Sequence, residues 1–373
     1  MREGLRCRPL GISGRQAAVP GALALAGGPL AFSACEVIRR SGSGRTTRLP
    51  VSAAEFMERA ISERWMSATE AWELLDRLSA PRPPFAGLSM DRPRVMGVIN
   101  VTPDSFSDGG DRFDSGQAAA DGLAMREAGA EILDVGGEST RPGADPVPIE
   151  EEMRRVIPVV RRLAEAGARV SIDSRRATVM RAAVEAGAEV INDVTALSGD
   201  PLSLRVAAES GLPVVLMHMQ GEPQTMQADP RYEDAAIDVY DLLEERVRAC
   251  EEAGIPRARI AVDPGIGFGK TLAHNLEILE QLALLHGLGC PIVLGVSRKS
   301  FIGRLSRDEP PKARVPGSLA ALLAGIARGA QIVRVHDVPE TVQALEVWRA
   351  IAQARPLDDP EPALAGKPAA ATA

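Results

Sequence analysis

The chain has 373 residues, of which 45% are hydrophobic and 25% charged. This composition suits a globular protein with a sizeable core, built as two domains or as one large α/β barrel. A net charge of −7 and an aromatic content of 3% argue against a nucleic-acid-binding protein, which needs a basic surface or aromatic side chains for stacking. Four cysteines are too few for a disulfide framework, and no apolar run reaches the roughly 18 residues of a membrane span. The composition therefore favours a cytoplasmic enzyme without nucleic-acid or membrane partners.

The first fifty residues differ from the rest of the chain in charge. They contain eight arginines and two glutamates, a net charge of +6, so the remainder carries −13. Glycine, alanine and serine are frequent there, and an apolar patch covers residues 17–32. We interpret residues 1–50 as a poorly ordered, dispensable leader. Real targeting, by a secretory signal or a transit peptide, is the alternative, although glycines and prolines in the apolar patch disfavour a signal-peptide helix.

Residues 51–90 predict a helical extension followed by a linker. Apolar residues recur at helical spacing between residues 53 and 79, and Ser67 with Glu70 forms the pattern of a capping box. The proline-rich segment 81–85 then leads into the main domain. At the other end of the chain, residues 357–373 are predicted to be a disordered tail.

From residue 94 onward, short β-branched segments alternate with amphipathic helical segments. Eight strands are predicted, at residues 95–99, 132–135, 170–172, 190–191, 214–217, 260–262, 292–295 and 332–335. Helical patterns lie between them, at residues 116–128, 150–166, 177–186, 232–253, 272–286 and 317–328. Eight such units in about 260 residues are typical of a (β/α)8 TIM barrel, and an open doubly wound sheet is the alternative. We therefore predict an α/β protein whose barrel covers residues 91–356.

Polar residues follow the predicted strands at their carboxyl ends. One aspartate in such a place can simply cap the next helix, but all eight strands end in this way, and barrels carry their active sites on this face. The residues are Asn100, Asp134, Asp173, Asn192, His218, Asp263, Ser297 with Lys299, and Arg334 with His336. The pattern predicts one site at the mouth of the barrel.

The residue types indicate two halves of that site. Acceptors and donors from four strands suit a flat heterocycle with several ring nitrogens, and two side chains nearby offer apolar faces: Asp173, Asn192, Asp263 and Lys299, with Met217 and Phe268. Arginine, histidine and hard oxygen ligands suit an anion together with Mg²⁺: Arg334, His336 and Arg141, with Asn100 and Thr140. The segment 264–271 lacks the glycine spacing of a Walker loop, and Lys270 within it is expected to be solvated.

Seven segments resemble, in chain order, the signatures of the dihydropteroate synthase family. The resemblance covers residues 94–353 and not the first ninety. The segments are 100–110 (NVTPDSFSDGG), 136–143 (GGESTRPG), 171–174 (SIDS), 191–193 (IND), 263–270 (DPGIGFGK), 297–300 (SRKS) and 334–337 (RVHD). The chain departs from the family pattern only slightly, at Ser174, Arg175 and Arg176 after the third strand, where the next helix starts.

The resemblance implies a pterin-binding barrel that joins 6-hydroxymethyl-7,8-dihydropterin diphosphate to 4-aminobenzoate in folate synthesis, with Mg²⁺ and as a homodimer. It assigns the pterin ring to Asp173, Asn192, Asp263 and Lys299, packed between Met217 and Phe268. It assigns the diphosphate to Arg334, His336 and, through Mg²⁺, Asn100. The aminobenzoate side falls to Thr140, Arg141, Pro142 and Ser297, with Phe106 in the first long loop. We expect catalytic roles for Lys299, Asp263, Asp173, Arg334 and His336.

Two alternatives share the pterin-binding residues. A pterin-dependent methyltransferase, which moves a methyl group from a folate to a corrinoid, has no need for a diphosphate clamp. A non-catalytic pterin-binding homologue is expected to have lost Lys299, Arg334 or a loop motif. Because these features are all present, the sequence favours the synthase.

Overall fold

The computed structural model describes residues 4–41, 45–101, 115–139, 146–222 and 224–352. The described residues form an N-terminal module of short strands and two helices, followed by a β/α barrel. The predicted tail at 357–373 lies outside the described residues, as do Phe106, Thr140, Arg141 and Pro142.

The N-terminal module contains two small antiparallel sheets, with strand orders β1-β5-β6 and β2-β4-β3. The strands are β1 (Leu5–Leu10), β2 (Ser13–Gly14), β3 (Leu23–Ala24), β4 (Leu30–Phe32), β5 (Ala34–Arg40) and β6 (Thr46–Ser52). Two helices follow, α1 (Phe56–Ser62) and α2 (Ala68–Ser79). The predicted capping box is confirmed, since Ser67 Oγ accepts from the Glu70 amide at 3.2 Å and the Glu70 carboxylate accepts from the Ser67 amide at 2.8 Å.

The prediction of a poorly ordered leader over residues 1–50 is wrong for the described part of that segment. β1 pairs with β5 along its whole length. Cys7 and Phe32 are buried in one apolar core with Phe56 and Leu78 of the two helices. The composition misleads because the strands bury basic residues together with apolar ones: Arg6 and Arg40 are 4% and 5% exposed, in the same strands as the buried Cys7 and Ile38.

The barrel is built as predicted. All eight predicted strands are present, parallel, in the order β12-β11-β10-β9-β8-β7-β14-β13, and a parallel bridge between Val262 and Ile292 joins the two ends. The strands are β7 (Arg94–Asn100), β8 (Ile132–Gly136), β9 (Val170–Asp173), β10 (Val190–Asp193), β11 (Val214–Met217), β12 (Ile260–Asp263), β13 (Val293–Leu294) and β14 (Ile332–Val335). The sheet therefore closes on itself, and the strands' carboxyl ends share one face.

Helices surround the sheet and bury its outer face. They are α3 (Ser115–Glu127), α4 (Ile149–Glu165), α5 (Ala177–Glu185), α6 (Ser203–Ser210), α7 (Ala235–Glu252), α8 (Leu272–Glu280), α9 (Ser300–Leu305), α10 (Val315–Ile326) and α11 (Val338–Ala352). The single helix predicted at 272–286 is instead α8 followed by a 3₁₀ segment, Leu282–Leu288, which is buried throughout. No described helix is long and apolar enough to cross a membrane.

The proline-rich segment leads into a plug at the amino-terminal end of the barrel. Phe85 is fully buried, and Met90 is nearly so. Both pack in a cluster with strand side chains from the barrel interior, including Met96, Ile132 and Val215. Because apolar side chains fill this end, the polar strand ends gather at the opposite, carboxyl-terminal mouth.

Candidate active site

Arg334, on β14, binds carboxylates from β8 and β9 at the mouth of the barrel. Its Nε donates to Asp134 Oδ2 at 2.6 Å, and one terminal amine donates to Asp173 Oδ2 at 2.6 Å. Asn192 Nδ2 donates to the same Asp134 oxygen at 3.1 Å. Asp134 is fully buried, and its second oxygen, Oδ1, has no hydrogen-bond partner among the described residues. Among the described residues, this aspartate therefore keeps one buried acceptor atom without a partner, beneath the Arg334 cluster.

The pKa values of Asp173 and Arg334 are shifted by burial and by their mutual contact. Burial raises the pKa of Asp173 to about 7, and the positive charge of Arg334 opposes that rise. The pKa of Arg334 is raised, because its two carboxylate partners outweigh the desolvation of the guanidinium. A carboxyl group near neutrality beside a fixed cation can either donate or accept a hydrogen bond at a heterocycle edge.

Asp263 and Lys299 face the same small volume above Gly295. A Cβ atom placed on Gly295 would lie 3.8 Å from Asp263 Oδ2 and 3.9 Å from Lys299 Nζ. Burial lowers the pKa of Lys299 to about 8, and Asp263 opposes this shift. Burial likewise raises the pKa of Asp263. The geometry thus supplies one acceptor and one donor side by side.

Phe268 provides an apolar wall next to this pair. The Lys299 ammonium lies 4.6 Å from the centre of its ring, within the range of a cation–π contact. Lys299 Nζ also donates to the carbonyl of Ile266 in the same loop. Met217, at the end of β11, is 6% exposed. The structure therefore brings the predicted apolar residues to the same mouth as the polar ones.

The loop that carries Phe268, residues 264–271, is held from inside by Lys270. The prediction that Lys270 is solvated is wrong, because the side chain is 2% exposed. Its Nζ lies 2.9 Å from the carbonyls of Gly265 and Phe268 and 2.9 Å from His218 Nδ1. Burial lowers the pKa of Lys270 well below its usual value. In a Gly-rich loop, a buried lysine replaces the backbone partners that a regular element would supply.

Asn100, His336 and Ser297 form the third part of the mouth. Asn100 Nδ2 lies 3.4 Å from His336 Nε2, and His336 Nδ1 lies 3.0 Å from Ser297 Oγ. The described residues contain no cluster of three His, Cys, Asp or Glu side chains that could hold a metal ion. A metal here would therefore depend on the Asn100 amide oxygen, water and ligand oxygens, a donor set that Mg²⁺ accepts.

Arg175 and Arg176, which follow β9, connect neighbouring loops. Arg175 Nε lies 3.0 Å from Glu138, and Arg176 lies 2.9 Å from the other oxygen of Glu138 and 3.1 Å from the buried Glu152. They fasten the loop after β8 to the start of α5.

Comparison with known proteins identifies the family. The family model described as "Pterin binding enzyme" matches residues 96–336. Dihydropteroate synthase from Escherichia coli is 48% identical over 269 residues, which are 72% of this chain and 95% of that protein. The chain belongs to the dihydropteroate synthase family. The resemblance inferred from its motifs is therefore confirmed.

Solved dihydropteroate synthases have the same barrel. The Xanthomonas albilineans protein with 4-aminobenzoic acid is 51% identical, with a TM-score of 0.69, over 74% of this chain and 99% of that one. The same protein in complex with 7,8-dihydropteroate gives 48% identity and a TM-score of 0.67, over 74% of this chain and 100% of that one. About a quarter of the present chain thus has no counterpart in these structures. The family match begins at residue 96, after the N-terminal module.

Sequence reasoning missed several residues that organise the site. From the sequence, Asp134 is one of the polar strand ends and has no assigned function, whereas in the structure Arg334 and Asn192 both bind it. A buried aspartate in the middle of an apolar strand was the available signal. Lys270 and Gly295 carried no comparable signal, because their importance depends on which atoms the fold brings near them. Those atoms are backbone carbonyls for Lys270 and the side chains of Asp263 and Lys299 for Gly295.

Proposed function

We propose that the chain condenses 6-hydroxymethyl-7,8-dihydropterin diphosphate with 4-aminobenzoate to give 7,8-dihydropteroate and diphosphate, in the cytoplasm. The observation that carries this proposal is the meeting of two half-sites at one barrel mouth. One half has two carboxylates that share Arg334, and a half-buried lysine beside a third carboxylate. The other has a histidine, a serine and an amide. The names of the relatives support the same activity.

The first half binds and orients the pterin. Asp263 and Asp173 accept from ring N–H and amino groups, while Asn192 and Lys299 donate to ring acceptors. Met217 and Phe268 pack on the ring faces. The carboxylates also stabilise positive charge on the ring as the bond from the methylene carbon to the diphosphate oxygen breaks, and the oxygen keeps the electron pair.

The second half receives the departing diphosphate. Arg334 and His336 stabilise the negative charge that develops on the leaving oxygen. The residues present fit Mg²⁺, which Asn100 would hold; when bound, this ion supplies further stabilisation of phosphate charge. The lone pair of the neutral arylamine nitrogen forms the new bond to the methylene carbon, and the nitrogen then releases a proton to solvent. We assign the aminobenzoate side to Ser297 together with Thr140, Arg141 and Pro142.

Diphosphate release tests the proposal directly. The purified chain is incubated with Mg²⁺, the pterin diphosphate and 4-aminobenzoate, and both diphosphate and dihydropteroate are quantified. We expect one diphosphate per dihydropteroate, no release without aminobenzoate, and loss of release when a chelator removes Mg²⁺. Release without aminobenzoate would indicate a hydrolase. Pterin binding without any release would favour the non-catalytic alternative, and either outcome would overturn the synthase proposal.

We also propose that the chain is a homodimer, formed through a groove along α8, α9 and α10. The groove encloses about 680 Å³ and is lined largely by apolar side chains. Leu276 and Leu305 are 39% and 53% exposed there. A patch of this kind, paired with its own copy about a two-fold axis, would bury them.

Sedimentation equilibrium tests the dimer. We expect two chains per particle for the native protein and one for Leu305→Asp, because a charge in the groove would be desolvated on association. Ile351→Asp, at a position on α11 that is 71% exposed and does not line the groove, is the matched control and should stay dimeric. A monomeric native chain would refute this proposal.

A further inference from the structure

The N-terminal module binds the barrel through arginines that converge on the start of α7. The Arg40 side chain is 4% exposed and lies 2.5 Å from Asp238 and 2.8 Å from Glu233. Arg48 lies 2.6 Å from Asp234. Glu233 is 62% exposed and Asp238 is 26% exposed. Removing Arg40 therefore leaves chiefly Asp238 without its partner in a partly desolvated place.

The carboxylates that these arginines bind also fix the backbone at the start of the helix. Asp234 accepts from the amide of Ile237 at 3.1 Å, which makes it the side-chain cap of α7. Asp238 accepts from the amide of Glu233 at 2.9 Å. The module therefore restrains the backbone around residues 233–238, through side chains that are already part of the helix start.

Tyr232, immediately before this helix start, contacts the loop that carries Phe268, residues 264–271, which we call the pterin loop. Its hydroxyl donates to the carbonyl of Gly269 at 2.7 Å, and its ring packs edge-on against His274 with 4.8 Å between ring centres. Gly269 has a φ of +61°, and a Cβ there would lie 2.4 Å from the carbonyl oxygen of Gln220. The loop is thus packed without a gap against the chain that leads into α7.

We propose that Arg40 is a positioning residue for pterin binding. By holding Glu233 and Asp238 it keeps Tyr232 against Gly269, and Gly269 in turn keeps the adjacent Phe268 beneath the Lys299 ammonium. The module that carries Arg40 precedes the family match at residue 96. The N-terminal module therefore stabilises the position of the pterin loop in the barrel. This inference rests on the proposed function, because it assigns Phe268 to the pterin.

The test compares Arg40→Met with Tyr232→Phe in the full-length chain. We expect each change to raise KM for the pterin diphosphate roughly fivefold to tenfold, the factor associated with one hydrogen bond of ordinary strength. KM for 4-aminobenzoate should be unchanged and kcat should change less than about twofold, because neither residue touches the reacting atoms. The KM of the double variant for the pterin diphosphate should not exceed the higher of the two single-variant values, since both changes break the same chain of contacts.

Arg8→Met is the matched control. Arg8 also joins the module to the barrel, through Glu280 at 2.8 Å, at the far end of α8 from the pterin loop. Its removal should loosen a contact between the module and the barrel without raising KM for the pterin. Arg40→Lys, which keeps the charge, should restore part of the affinity lost in Arg40→Met.

Hydrogen exchange supplies a readout that does not depend on the reaction. The amides of residues 264–271 should exchange faster in Arg40→Met and Tyr232→Phe than in the native chain or in Arg8→Met. Unchanged exchange and unchanged KM in Arg40→Met would overturn the inference, as would equal rises in KM for both substrates. A native chain that lacks diphosphate release would refute the proposed function instead, while the exchange result would still decide this one.

Discussion

Arg334→Met is expected to lower the free energy of unfolding by about 3 kcal/mol at pH 8, near the lower end of the range for breaking a buried ion pair. The reason is that Arg334 is the shared partner of Asp134, which is fully buried, and of Asp173. Methionine retains most of the apolar stem and removes the charge. Urea denaturation of native chain and variant measures the difference.

The pH dependence of that loss identifies its cause. Without Arg334 the pKa of Asp173, already raised to about 7 by burial, would rise further, so the folded variant would bind protons that the unfolded chain has lost. A folded pKa above the unfolded value means that stability is present at low pH and is lost as pH rises. The stability deficit should therefore shrink between pH 8 and pH 5. A deficit that is equal at both pH values would show that lost packing, and not unpaired charge, explains it.

A second substitution provides the control for this prediction. Asp134→Asn in the Arg334→Met background removes one of the two orphaned carboxylates while keeping its size. We expect the double variant to be more stable than Arg334→Met alone at pH 8, because an amide is less costly to bury than an unpaired carboxylate. A double variant that is less stable than Arg334→Met would contradict this account, because it would show that an unpaired Asp134 carboxylate is not what destabilises the single variant.

The barrel was predictable because its signals are local and repeated. Each strand is a short β-branched segment, each is followed by an amphipathic segment, and the polar residue after each strand marks the same face. Helices α6, α9 and α11 escaped prediction. The 3₁₀ segment Leu282–Leu288 also escaped, because a stretch buried on all sides shows no periodicity.

The N-terminal module was missed because its strands depend on distant partners. An Arg-rich segment of +6 next to a chain of −13 was interpreted as a leader. In the structure the two charges meet: Arg6 lies 2.5 Å from Asp241, and Arg8 and Arg40 also reach barrel carboxylates. The charge asymmetry is therefore complementarity between two packed parts of one chain, which a sequence shows only as an imbalance.

The candidate site was predictable as a set of residues and not as a network. Its strand-end residues lie at one mouth, as expected. What the sequence could not show is that Arg334 binds Asp134 and Asp173, since these residues are 200 and 161 positions away in the chain. Such pairings follow from strand order and register, which the fold determines.

Lys299→Met should lower kcat/KM for the pterin diphosphate about a hundredfold, since a hydrogen bond from a charged donor at a buried site contributes about 1.5–3 kcal/mol. The ammonium is the donor that stands beside Asp263 above Gly295, and methionine removes it while retaining most of the apolar stem. Lys312→Met, the same chemical change at an exposed position, is the matched control and should leave kcat/KM unchanged.

The pH profile separates this role of Lys299 from a structural one. Burial lowers the pKa of the lysine to about 8, so the donor is present below that pH and is lost above it. In the native chain, kcat/KM for the pterin should therefore fall about tenfold per pH unit above this pKa, because only the protonated fraction binds productively. The fall should be absent in Lys299→Met, because this variant has no ammonium group at that position to lose a proton. A falling limb that persists in Lys299→Met would assign the titration to another group and remove Lys299 from the pterin site.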